Sequence, residues 1–138
     1  MSFRLTRSES GRPQVILEGE PSYCRALDAA PGAREPELDL GRWLVVAFPA
    51  WSVPDVQQVE TALEVVKRLD GPLQLGIRPF DDAEELQAWL PEVSITAPTP
   101  IWVFLAQGTV TGVHNGAVEA AELVKLIERA VVTPDGMR

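Results

Sequence analysis

The chain has one cysteine, Cys24, and one histidine, His114, among its 138 residues. A lone thiol cannot close an intramolecular disulfide, and these two side chains are too few soft ligands for a zinc site. Neither a metal site nor a cofactor is expected. No apolar run nears the roughly eighteen residues that a membrane-spanning helix needs. Positive charge is scarce too, with 12 Lys and Arg against 20 Asp and Glu and a net charge of −8. That field repels phosphate backbones, and no basic stripe interleaved with aromatics offsets it. Nucleic acid and membrane are therefore not expected partners. The N-terminus lacks an apolar segment followed by a small-residue cleavage site. Arg4, Arg7 and Arg12 among serines faintly suggest a transit segment, which Glu9 interrupts. The expectation is a flexible tail over 1–13 on a cytoplasmic protein.

What is present suits one domain over 14–132, followed by a second short tail at 133–138. The length can bury a core without staples, and the 46% hydrophobic and 23% charged residues are ordinary for a globular chain. Val15 to Leu17 reads as a first strand, and Pro21 to Ala29 as a short helix with Tyr23, Ala26 and Leu27 inward. Pro31-Gly32 and Pro36 then break regular structure up to Gly41. Trp43 to Phe48 is continuously apolar and short, which fits a strand covered on both faces. From Pro54, the apolar residues Val56, Val59, Ala62, Leu63, Val66 and Leu69 recur at helical spacing. Gly71-Pro72 ends that helix.

Leu73 to Phe80 predicts another strand, and Asp82 caps a helix from Ala83 with Glu85 at the capping-box position. Ile101 to Ala106, a tight Gln107-Gly108 turn and Thr109 to His114 predict an antiparallel hairpin. A last helix spans Glu119 to Val131. Alternation of strand and helix implies a central mixed sheet with helices on both faces, an α/β architecture closed by a C-terminal antiparallel hairpin plus helix.

This order and several spaced residues resemble the thioredoxin family. Its signature, an apolar strand followed by Trp-Cys-Gly-Pro-Cys at a helix start, is matched here by Trp51-Ser52-Val53-Pro54-Asp55, with Trp and Pro kept and both cysteines gone. Pro100 before an apolar strand, Gly108 in the hairpin, Gly116-Ala117 before the last helix and Asp81 after the middle strand fall at the family's spacing. The likeness covers Trp43 to Val132, with a short insertion between Asp81 and Pro100. It implies a thioredoxin-like fold with a cis peptide at Thr99-Pro100.

The resemblance also implies what is missing. Dithiol exchange needs a thiolate at the helix start and a second thiol to resolve the mixed disulfide, and Ser52 and Asp55 supply neither. The family's buried aspartate and nearby lysine are replaced by Val46 and Ile77. No catalytic residue and no enzyme activity is expected. The family's backbone groups before the cis-proline, held here by Thr99, pair with an extended peptide. A protein-binding groove of Trp51, Ser52, Pro54, Asp55, Thr99 and Pro100 is thus implied, with a protein partner or extended segment as its occupant.

Simpler readings stand beside these. Trp51 suits packing as well as anchoring, Ser52 suits an N-cap, and Asp55 suits the positive end of the helix dipole. Cys24 reads as a small buried side chain, and Asp81, Asp82, Glu84 and Glu85 as a solvated helix start. Gly112 to Gly116 and Ala121-Glu122-Leu123 further resemble a segment of thioredoxin-like hydrogenase maturation chaperones, which also lack the cysteine pair. The leading expectation is a redox-inactive binding module or chaperone. The alternatives are a glutathione-binding transferase using Ser52 and a structural subunit of a homo-oligomer.

Overall fold

The computed structural model describes residues 3–19, 22–27, 34–69, 72–96 and 98–136. Five strands form the main sheet: β3 (Cys24–Ala26), β4 (Arg42–Pro49), β5 (Leu73–Phe80), β6 (Ile101–Ala106) and β7 (Thr109–Asn115). β1 (Phe3–Arg7) and β2 (Pro13–Leu17) precede them as a separate antiparallel hairpin. The helices are α1 (Val53–Leu69), α2 (Ala83–Trp89) and α3 (Ala120–Gly136), and a 3-10 turn spans Pro36–Asp39. Spatial order in the main sheet is β3-β5-β4-β6-β7, with β3 and β4 parallel to β5 and with β6 and β7 antiparallel to their neighbours.

The centre of the sheet follows from composition. β4 is apolar along its length and fully covered, because α1 and α3 lie on one face and α2 with the 3-10 turn on the other. Side chains alternate between two cores accordingly. Leu44, Val46 and Phe48 join Val59, Leu63, Trp102 and Leu123, whereas Trp43, Val45 and Ala47 join Leu86, Trp89, Ile101 and Val103.

Several expectations need correction. The helix expected over Pro21 to Ala29 does not form in the described part of that span, where Cys24–Ala26 is strand β3, while Pro21, Asp28 and Ala29 lie outside the described residues along with Pro31-Gly32. Tyr23, Ala26 and Leu27 mimic a helical face over one short window. Pairing to β5 overrides that spacing, since Leu75 N–H donates to Tyr23 O at 2.8 Å and Leu27 N–H to Ile77 O at 2.9 Å. A Cβ at Gly76 would collide with the Leu27 side chain, so glycine there lets Leu27 lie on the sheet.

The tail expected over 1–13 contains β1 and the start of β2, and two of its three arginines are engaged. Arg7 pairs with Asp81, and Arg12 lies 3.6 Å from Glu85. α3 runs to Gly136, so residues 133–136 of the expected second tail belong to a helix. Asp82 caps α2 as expected, accepting from Glu84 N–H at 2.8 Å. Glu85 instead faces Arg12 and the fully buried Arg78, whose guanidinium sits 4.6 Å above the Trp89 ring and donates to Leu27 O at 3.2 Å. The acidic run is therefore partly structural.

Candidate functional site

Sheet register brings the motif residues to one end of the molecule. Pro49, the last residue of β4, lies opposite Phe80, and Ala50 N–H donates to Phe80 O at 2.8 Å. On the other side of β4, Ala47 faces Ile101, the first residue of β6. Trp51 to Asp55, Asp81 and Thr99-Pro100 thus all leave the same end of three adjacent strands.

The motif turn is short. Ser52 N–H donates to Pro49 O at 3.0 Å, and Ser52 O accepts from Val56 N–H at 3.1 Å, which puts Ser52 at the N-cap position of α1. Pro54 falls in the first turn, where its missing N–H has no intrahelical partner to lose. The turn leaves Trp51 73% exposed and Val53 67% exposed, with Pro54 also on the surface. The packing role for Trp51 is thereby replaced by a surface one. Asp55 is the reverse: it is buried, and among the described residues its Oδ2 accepts no hydrogen bond. Spacing pointed to a surface dipole residue, and only the three-dimensional placement shows a buried carboxylate.

Around the proline, hydrogen bonds pin the backbone on both sides. The Thr99-Pro100 peptide is cis, and Pro100 is buried with its carbonyl accepting from Gly116 N–H at 2.9 Å. Gly116 O accepts from Trp102 Nε1 at 2.9 Å, and Asn115 Nδ2 donates to Thr96 O at 2.8 Å. Gly116 has φ +104° and packs against Pro98, so a side chain there is disfavoured on both counts. Gln58 Oε1 accepts from Val118 N–H at 2.7 Å, tying α1 to the segment entering α3. Thr99 is half-buried, and among the described residues nothing hydrogen-bonds its N–H or C=O.

The six expected groove residues therefore divide. Trp51 and Pro54 face solvent, Ser52 and Thr99 are half-buried, and Asp55 and Pro100 lie inside as support. Val46 and Ile77, which stand where the resemblance implies proton-moving groups, are register neighbours with no solvent exposure. No group of His, Cys, Asp and Glu fit to hold a metal occurs among the described residues.

Cys24 is placed away from this end, opposite Leu75, and burial pushes its thiol up to about 12 from an ordinary 9.0. It is a thiol at neutral pH. Because the folded value is the higher one, the stabilisation from keeping Cys24 protonated is complete below about pH 9 and is lost as pH rises towards about 12, by up to roughly 1.4 kcal/mol per pH unit. Urea unfolding of wild type and Cys24→Ala at pH 8 and 10.5 should show the gap between them shrinking by about 1–2 kcal/mol in wild type's disfavour. A constant gap would contradict the buried thiol.

No protein-family model matches the sequence, and no curated protein does. Solved structures do match in three dimensions. The chain is similar to the germline-specific thioredoxin Deadhead of Drosophila melanogaster at 14% identity, with 67% of this chain and 83% of that chain covered and a TM-score of 0.53. It is similar to Fasciola hepatica thioredoxin at 20% identity, with 68% and 85% covered and a TM-score of 0.54. It is also similar to thioredoxin-2, described as a component of malaria parasite protein secretion machinery, at 18% identity, with 64% and 82% covered and a TM-score of 0.52. The fold is thioredoxin-like, with a central mixed sheet and flanking helices.

Proposed function

We propose that this chain is a redox-inactive thioredoxin-fold protein that acts as a protein-binding module or chaperone rather than an enzyme, holding an extended partner segment at the motif end of the sheet. The observation that carries this reading is Thr99, whose backbone donor and acceptor are unpaired among the described residues while the chain on either side is pinned by Asn115, Gly116 and Trp102. A rigid, unpaired backbone pair is what an added strand bonds to, at little ordering cost. Trp51, Val53 and Pro54 add an exposed apolar surface at the same end, suited to one partner side chain.

The chemistry at this end supports binding over catalysis. Among the described residues no hydrogen bond joins Ser52 to Asp55 or to any other base, and an unactivated hydroxyl is a weak nucleophile near neutral pH. The one cysteine is buried and lies elsewhere. For the pathway, residues 112–116 and 121–123 make hydrogenase maturation the first to examine, by co-purification with a hydrogenase precursor. Asn115 and Gly116 also serve the loop geometry directly, which gives that short likeness a structural reason of its own.

A photo-crosslinking side chain at Val53 should trap the partner segment, whereas the same group at Lys67, exposed near the far end of α1, should not. Equal trapping at both positions, or trapping at Lys67 alone, would place the partner elsewhere.

A further inference from the structure

Charge is distributed unevenly along the strand axis. All three helices begin at the motif end, since α1 follows β4, α2 follows β5, and Gly116, bonded to Pro100, leads into α3. Asp55 lies in the first turn of α1, Asp82 and Glu84 at the start of α2, and Glu119 and Glu122 at the start of α3. Arg42, Lys67, Arg68 and Arg129 stand towards the other end, at the start of β4, the last turn of α1 and the latter half of α3. The arginines that reach the motif end are engaged: Arg7 pairs with Asp81, and Arg12 and Arg78 lie 3.6 and 3.7 Å from Glu85. Among the described residues Asp82, Glu84, Glu119 and Glu122 form no ion pair.

Acids at helix starts complement the helix dipole, so this pattern alone names no ligand. Asp55 goes further. It is only 5% exposed, its Oδ2 is fully covered, and no hydrogen bond or ion pair reaches it from any described residue. Buried carboxylates are ordinarily paired, and the start of a helix supplies only about half an elementary charge, spread over its first turn. Helix side chains lean towards the N-terminus, so the Asp55 carboxyl lies towards the motif turn of Trp51, Ser52 and Val53.

We infer that the extended segment held at the motif end carries a lysine or arginine, whose cation sits above the Asp55 carboxylate while its aliphatic stem lies on the Trp51 ring. This rests on the binding role proposed above and adds the chemistry of the bound segment. A lone carboxylate beneath the exposed apolar side chains Trp51 and Val53 suits a cation on an apolar stem better than a bare ion, which needs several oxygen ligands. The unpaired acids at the starts of α2 and α3 draw a basic segment towards this end and repel an acidic one.

Fluorescence anisotropy on the full chain tests this with dye-labelled extended peptides of about nine residues, identical except for a central Lys, norleucine or Glu. At about 0.05 M salt the Lys peptide should bind at least about tenfold tighter than the norleucine peptide, which has the same stem without the charge, and the Glu peptide should bind weakest. Raising the salt to about 0.3 M should shrink that advantage. Asp55→Asn should remove it and leave norleucine binding unchanged, whereas Glu64→Gln, which removes a charge farther along α1, should keep it. Without peptide, Asp55→Asn should melt no lower than wild type, because it removes a buried charge that has no partner. A lower melting temperature would mean that the carboxylate is held within the chain, and it overturns the inference. So does a Lys advantage that survives Asp55→Asn. Equal binding of the Lys and norleucine peptides, with both trapped by a photo-crosslinker at Val53, overturns the cation and leaves the binding end in place. Failure of all three peptides to bind or to be trapped at Val53 overturns the binding reading together with it.

Discussion

Replacing Trp102 with Ala should lower the unfolding free energy by about 3–5 kcal/mol, the range for truncating a large, fully covered aromatic. Trp102 has no exposed surface and packs in the core between the sheet and helices α1 and α3. Its Nε1 donor holds Gly116 O, and Gly116 N–H in turn holds Pro100 O, so one side chain supports both the core and the site loop. Trp102→Phe separates the two contributions. It keeps most of the volume but leaves the buried Gly116 carbonyl without its donor, at a cost of about 1–3 kcal/mol. Guanidinium unfolding measures both variants. Hydrogen exchange at Gly116 N–H should accelerate in Trp102→Phe more than exchange at amides in the middle of α1. A loss below about 1 kcal/mol in Trp102→Ala would mean that the indole is not the support described.

Trp51→Ala should weaken partner capture roughly 10- to 100-fold, equivalent to about 1–3 kcal/mol for an aromatic anchor, with stability changed by no more than about 0.5 kcal/mol. The two readouts are separable because Trp51 is 73% exposed and has little packing to lose. Lys67→Ala, a surface change near the other end of α1, should move neither. Binding to the native partner is measured by calorimetry or biolayer interferometry on variants first shown to be folded by circular dichroism and thermal melting. Unchanged affinity in Trp51→Ala would remove the anchor from the proposed site. A large stability loss would instead return Trp51 to a packing role.

Trp51 and Trp102 sit at opposite extremes of burial, and nothing about tryptophan as a residue type distinguishes them. Trp102 lies within an apolar run that can only be a covered strand, so its burial follows from its neighbours. Trp51 lies in a four-residue turn between strand and helix, where exposure depends on how β4, β5 and β6 end together. Arg78 shows the same limit inside a strand. It stands among Leu, Gly, Ile, Pro and Phe in β5, and its burial becomes intelligible only once Glu85, Trp89 and Leu27 O are found around it.

The sequence by itself determined strands β4, β5, β6 and β7, helices α1, α2 and α3, the Gln107-Gly108 turn, the Asp82 cap and the absence of a cysteine pair at Ser52 and Asp55. Each rests on local periodicity, a single turn or cap residue, or the identity of one side chain, all of which are properties of contiguous residues. Tertiary structure decided the rest. Cys24–Ala26 became a strand because β5 offered unpaired backbone groups, and Arg7 and Arg12 became part of a docked hairpin because Asp81 and Glu85 lay within reach. Asp55 was buried and Trp51 exposed by the way a three-strand edge meets the start of a helix. Those outcomes depend on contacts between residues far apart in the chain, whose energies exceed the few tenths of a kcal/mol by which local propensity distinguishes one conformation from another.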